Sequence, residues 1–144
     1  VLEQCKVELL EQPLNAEDLE GHLELRRISK IPIIADESLH SRSSIPGLAH
    51  AFDGVNLKLQ KLGGPLQTLH TLRTARALGM SVMLGCMIES SLGIAAAAQL
   101  AGLADWTDLD GALLLENDPH TGLEWKAGTL ERPSGAGWGV QLSG

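Results

Sequence analysis

Residues 55–65 read Val55-Asn56-Leu57-Lys58-Leu59-Gln60-Lys61-Leu62-Gly63-Gly64-Pro65. Val55, Leu57 and Leu59 alternate with Asn56, Lys58 and Gln60, the period of two that gives an extended chain one apolar and one polar face. The Gly63-Gly64 turn ends this segment, and Pro65 opens a helix that sets Leu66, Leu69 and Leu72 on one face and stops at Gly79. A short apolar strand, a charged residue at its end, a turn and an amphipathic helix make one β/α unit. The unit recurs outward in both directions. Strands are expected near Val7 to Leu10, Ile33 to Ala35, Val55 to Leu57, Val82 to Leu84 and Leu109 to Leu114. Their ends, Glu11, Asp36, Lys58, Cys86 and Asp110, are spaced 25, 22, 28 and 24 residues apart.

Parallel strands with crossover helices close either into a barrel or into an open doubly wound sheet. A doubly wound sheet gathers ligand groups at one switch point, whereas a TIM barrel offers a group at the C-terminal end of many strands. Here every strand offers one, so the expected class is α/β, the C-terminal part of a TIM-type (β/α) barrel, about strands four to eight, with outer helices. A whole barrel takes about 250 residues. Five units in 144 residues therefore predict a partial barrel domain over residues 1–144.

Local signals fill in the helices. Asn15 reads as the N-cap of the first one, with Asp18 in a capping-box position and Leu14 and Leu19 as a hydrophobic staple. Glu17, Asp18 and Glu20 then precede Arg26, Arg27 and Lys30, the order that suits the helix dipole. Another helix is expected from about Leu92 to Ala101, a short one within Ile45 to Phe52, and loops with short strands after Pro119.

Composition excludes several classes. The chain has 44% hydrophobic residues and a net charge of -7, enough to build a core and wrong in sign for a phosphate backbone. No nucleic-acid partner is expected. Its longest apolar runs fall far short of the roughly 20 residues of a membrane span, so no membrane association is expected either. Two cysteines, Cys5 and Cys86, define no disulfide framework, and the chain start resembles no signal peptide; both fit a cytoplasmic setting.

Glu11 and Asp36 would repel one another at adjacent strand ends unless a cation lay between them, which makes a hard divalent ion such as Mg²⁺ one reading and helix capping the other. A lysine inside a barrel beside a cation would lose proton affinity and could serve as a base, which is one reading for Lys58, a surface lysine being the other; Lys61 is expected to be a surface residue. Gly85-Cys86-Met87-Ile88-Glu89-Ser90 extends the fourth strand onto the same rim. Asp108 and Asp110, two residues apart, would share a strand face and attract an arginine or a ligand's ammonium group. The five histidines have no metal-ligand spacing and are expected to be solvated.

Taken in order, Leu10-Glu11-Gln12-Pro13, Ala35-Asp36-Glu37-Ser38, Asn56-Leu57-Lys58 with Gly63-Gly64, and Gly85-Cys86-Met87-Ile88-Glu89-Ser90 resemble the C-terminal half of the enolase-superfamily barrel, in its muconate-lactonizing subgroup. The resemblance implies that Glu11 and Asp36 bind Mg²⁺ and that Lys58 is an acid/base. Asp108-Leu109-Asp110-Gly111 is similar to the pair with which dipeptide epimerases hold the substrate's ammonium, and Cys86, Met87 and Glu89 are implied to line the substrate. The implied function is Mg²⁺-dependent epimerisation of dipeptides of the L-Ala-D/L-Glu type through an ene-diolate, within a longer protein that forms a homo-oligomer. That family's Lys-x-Lys, first metal carboxylate and capping domain have no counterpart in these residues. The alternatives are a cycloisomerase or succinylbenzoate synthase of the same subgroup, or a non-catalytic half-barrel whose open edges drive association.

Overall fold

The computed structural model describes residues 2–131 and 133–144. Five parallel strands pair in sequence order: β1 (Leu10–Glu11), β2 (Ile33–Ala35), β3 (Gly54–Lys58), β4 (Ser81–Gly85) and β5 (Trp106–Thr107). Strand order that never reverses sends every crossover the same way around, which yields a curled half-barrel and not a doubly wound sheet. The helices between them are α1 (Leu19–Ile28), α2 (Ile45–Leu48), α3 (Leu59–Leu62), α4 (Pro65–Ala77) and α5 (Ser91–Ala98). Two antiparallel pairs follow, β6 (His120–Thr121) with β9 (Gln141–Leu142), and β7 (Trp125–Lys126) with β8 (Thr129–Leu130). No helix among the described residues is long and apolar enough to cross a membrane.

The three middle strands stand where alternation puts them. Ile33, Ala35, Val55, Leu57, Val82 and Leu84 are all fully buried and pack in one cluster with Leu72, Ala75, Ile94 and Ala97 of the helices. Burying a side chain of this size is worth about 1.5–3 kcal/mol, so this sheet-to-helix layer holds the half-barrel together. Ile34, Asn56 and Met83 on the other face are buried too, as expected of a parallel sheet covered on both sides.

Several local expectations are corrected. The run Leu109 to Leu114 forms no strand: β5 lies before it, and Gly111–Leu114 is a 3₁₀ turn. The run's buried side chains, Leu109 and Ala112, stand three apart, and Leu113 and Leu114 are exposed, a spacing that suits a helical turn and not a strand. β1 is a two-residue strand at Leu10–Glu11, later than its apolar run suggested. Asp18, not Asn15, caps α1: its Oδ1 accepts from Gly21 N at 2.9 Å, while Asn15 Oδ1 accepts from Glu17 N in a turn just before. In α4 the buried face is Thr68, Thr71, Leu72 and Ala75, and Leu66 is exposed. Gly79 does end that helix, with φ +74°: its N–H donates to Arg76 O, and Met80 N–H to Ala75 O, a Schellman closure.

One device appears twice on the N-terminal rim. Asp53, just before β3, accepts from Arg26 Nε of α1 at 2.7 Å and from Ile33 N at the start of β2 at 2.9 Å. Asp105, just before β5, accepts from Arg76 Nη1 of α4 at 2.7 Å and from Val82 N of β4 at 2.8 Å. Each aspartate thus latches a helix end to two neighbouring strands.

The Arg76 hydrogen bond holds the Asp105 carboxyl below its ordinary range. A depressed folded-state value stabilises the fold above the unfolded-state value and loses that stability as pH falls through the folded one. Asp105→Asn should therefore lower the melting temperature at neutral pH, by no more than about 1 kcal/mol for so exposed a pair. The gap to the parent should close on acidification through the carboxylate range. A gap independent of pH in paired thermal melts would refute the latch.

Candidate active site

Parallel register brings the C-terminal strand ends side by side, with Glu11 paired to Ile34 and Lys58 to Gly85. Glu11 closes β1, Asp36 follows β2 directly and Lys58 closes β3. Lys58 Nζ donates to Asp36 Oδ2 at 2.6 Å and lies 3.9 Å from Glu11 Oε1. Asn56, one pleat earlier on the same face as Lys58, donates from Nδ2 to Glu11 Oε1 at 2.6 Å. The structure therefore brings together three residues singled out from sequence.

Two further residues complete the cluster. Lys61 is not the surface lysine expected of it: its Nζ donates to Asp36 Oδ1 at 2.6 Å and to Asp36 O at 3.0 Å. The strand ends at Lys58 and α3 begins at Leu59, so one helical turn carries Lys61 back over the same carboxylate. Gln12 holds the loop beneath. Its Oε1 accepts from Asp36 N at 2.9 Å and from Ser38 N at 3.1 Å, and its Nε2 donates to Ser38 Oγ at 2.9 Å. The backbone of Gln12 sits at φ +39°, a conformation that a non-glycine residue keeps only when its surroundings enforce it. His22 supplies part of that enforcement. It is fully buried, contrary to the solvated state expected, with Nδ1 donating to Asp18 O at 2.7 Å and Nε2 accepting from Gln12 Nε2 at 3.3 Å.

Charge follows from these contacts. Burial pushes Asp36 up, but the hydrogen bonds from Lys58 and Lys61 outweigh it and hold the carboxyl below its usual range. For Glu11, burial raises proton affinity and the neighbouring Asp36 adds to it, against the Asn56 hydrogen bond. Lys58 was expected to be depressed. Burial acts in that direction, yet the direct hydrogen bond to Asp36 prevails and holds the ammonium above its ordinary value.

Asn56 Oδ1 is buried and has no hydrogen-bond partner among the described residues, a loss of about 1–3 kcal/mol for such a group. It faces Gly85, where an added Cβ would come within 2.5 Å of it.

The β4 rim is less engaged. Cys86 is half-buried, and burial raises its thiol and favours the protonated form, partly countered by a hydrogen bond with the Gly111 backbone. Met87 is exposed, and Glu89 folds back to accept from Gln60 Nε2 and Met87 N. Asp108 and Asp110 lie in the segment after β5, not on a strand face, and both line a cleft of about 940 Å³ with Leu113, Trp125 and Glu131. Burial and the adjacent Asp110 carboxylate raise Asp108, and the charge of Lys58 reaches it with the opposite effect.

Glu11 and Asp36 supply hard oxygen donors of the kind Mg²⁺ takes, and the Asp36 charge adds to the burial that raises Glu11. The described residues contain no group of three or more side chains close enough to hold a metal ion. The pair fits part of a cation site, with Lys58 and Lys61 now supplying the positive charge around Asp36.

A parallel half-barrel with carboxylates and a lysine at consecutive C-terminal strand ends is the kind of scaffold on which barrel enzymes build active sites. The chain belongs to the enolase C-terminal domain-like family, whose description fits residues 1–144. It is 42% identical over 141 residues to an L-Ala-D/L-amino acid epimerase of Flavobacterium johnsoniae, covering 98% of this chain and 42% of that protein. Among solved structures, a mandelate racemase/muconate lactonizing protein from Herpetosiphon aurantiacus superposes with a TM-score of 0.89 at 34% identity, over 99% of this chain and 42% of the other. The substrate-liganded L-Ala-D/L-Glu epimerase from Bacillus subtilis gives 0.87 at 32% identity, over 96% of this chain and 41% of the other. The chain thus spans about two-fifths of the length of these relatives.

Proposed function

We propose that residues 1–144 are the C-terminal part of the barrel domain of a Mg²⁺-dependent dipeptide epimerase acting on L-Ala-D/L-Glu or a related dipeptide. The observation that carries this reading is the placement of Lys58 Nζ, 2.6 Å from Asp36 and 3.9 Å from Glu11, at three consecutive strand ends. The epimerases among its relatives support it, and so does the Asp108–Asp110 pair, whose unfavourable proximity a substrate ammonium would relieve. Muconate and succinylbenzoate carry no such amine.

Epimerisation breaks the C–H bond α to a carboxylate and remakes it on the other face. Lys58 serves one face: released from Asp36 and having lost its own proton to solvent, the neutral Nζ takes the α-proton while the electron pair moves into the carboxylate, giving a planar ene-diolate. A second acid/base, outside these residues, returns a proton opposite. Glu11 and Asp36 would hold the cation, which as a Lewis acid offsets the charge gathering on the substrate carboxylate. Lys61 keeps Asp36 Oδ1 and its carbonyl oriented whether or not Lys58 stays paired to Oδ2, so Lys58 can turn to substrate without the loop relaxing. Incubating the full-length protein with Mg²⁺ and a dipeptide library in D₂O should place deuterium at one α-carbon of the accepted dipeptides. Absence of exchange across the whole library would refute the reading.

A further inference from the structure

Asn56 is only 1% exposed on the inner face of β3, yet one of its two polar ends has no partner. An apolar side chain of the same shape would avoid the unpaired carbonyl and suit folding better. What asparagine provides that such a residue cannot is the 2.6 Å bond from Nδ2 to Glu11 Oε1. Turning the amide over would set Oδ1 against that carboxylate, so the orphaned end is fixed by the engaged one. Gly85 makes the arrangement possible. A Cβ there would stand 2.5 Å from Oδ1 and 2.7 Å from Nδ2, too close to both amide atoms for Asn56 to stay where it is.

We infer that Asn56 is a positioning residue that aims the Glu11 carboxylate into the Lys58–Asp36 cluster, and that Gly85 is the space reserved for it. The inference rests on the proposed role of Glu11 as a ligand to a divalent cation. In this role Asn56 acts through Glu11, by way of the Nδ2–Oε1 hydrogen bond. The Asn56 hydrogen bond and the 3.9 Å approach of Lys58 Nζ both fall on the same oxygen, Glu11 Oε1.

The test uses the full-length protein and Mn²⁺ as the probe, with affinity read by calorimetry and electron paramagnetic resonance, and stability by thermal melts. Asn56→Leu should keep or raise the melting temperature while weakening Mn²⁺ binding about 10–100-fold, the range for losing an outer partner of a metal ligand. Gly85→Ala should weaken Mn²⁺ binding in the same direction by displacing the amide. A purely packing role predicts the opposite pattern, with stability lost and affinity kept, and that result would overturn the inference. Glu11→Gln separates the two levels. If it weakens Mn²⁺ binding and Asn56→Leu does not, the positioning role is wrong and the ligand role stands. If the parent protein binds no Mn²⁺, or Glu11→Gln leaves binding intact, the ligand role is wrong and the positioning role falls with it.

Discussion

Lys58→Ala in the full-length enzyme should abolish epimerisation, a loss on the order of 10²–10⁴-fold, the share that a positioned acid/base contributes. It should not abolish every reaction at the α-carbon. Each base reaches only the proton on its own side of the planar ene-diolate, so the epimer whose proton faces the other base should still exchange with D₂O. The variant also leaves Asp36 with one ammonium partner instead of two, Lys61 at 2.6 Å. Proton NMR of each epimer, followed separately, reads the outcome. Equal and partial loss of exchange for both epimers would assign Lys58 to packing.

Glu11→Gln and Asp36→Asn should instead suppress exchange of both epimers, because the cation they would hold stabilises the one intermediate common to both directions. Their stabilities should part company. Asp36 is 5% exposed at its side chain and pairs with two lysines, so Asp36→Asn removes the nearest counter-charge of both part-buried ammonium groups and should cost about 3 kcal/mol. Glu11 is more exposed and is repelled by Asp36, so Glu11→Gln should be close to neutral for folding. Thermal melts beside the exchange assay separate the two effects. Full exchange of either epimer in Glu11→Gln would remove that carboxylate from the mechanism.

What could be read from sequence divides along physical lines. Strands β2, β3 and β4 were legible because their apolar residues are buried in one continuous layer, where pattern and packing agree. The Leu109 to Leu114 run was misread because a short apolar run does not disclose its own period: Leu109 and Ala112, three apart, are buried, while Leu113 and Leu114 are exposed. Glu11, Asp36 and Lys58 were legible as charges following apolar strands. Lys61 was not, because its role depends on where β3 ends: one more residue of strand would point it elsewhere. Its spacing of three from Lys58, at the entry to a helix, was the available signal. His22 lies on a mostly polar helix, and nothing in its neighbours announces the Gln12 contact.

The two arginine–aspartate latches stand on the rim opposite the charged cluster, one joining β2 to β3 and the other β4 to β5. None of their residues belongs to the chemistry proposed for Glu11, Asp36 and Lys58. Changes on distant, unshared sites add with little coupling, so the side chains that meet substrate can drift or be redesigned one strand end at a time while the joints beneath stay fixed. In that sense the lower rim is a chassis, and a lineage built on it is free to change its reactions faster than its architecture.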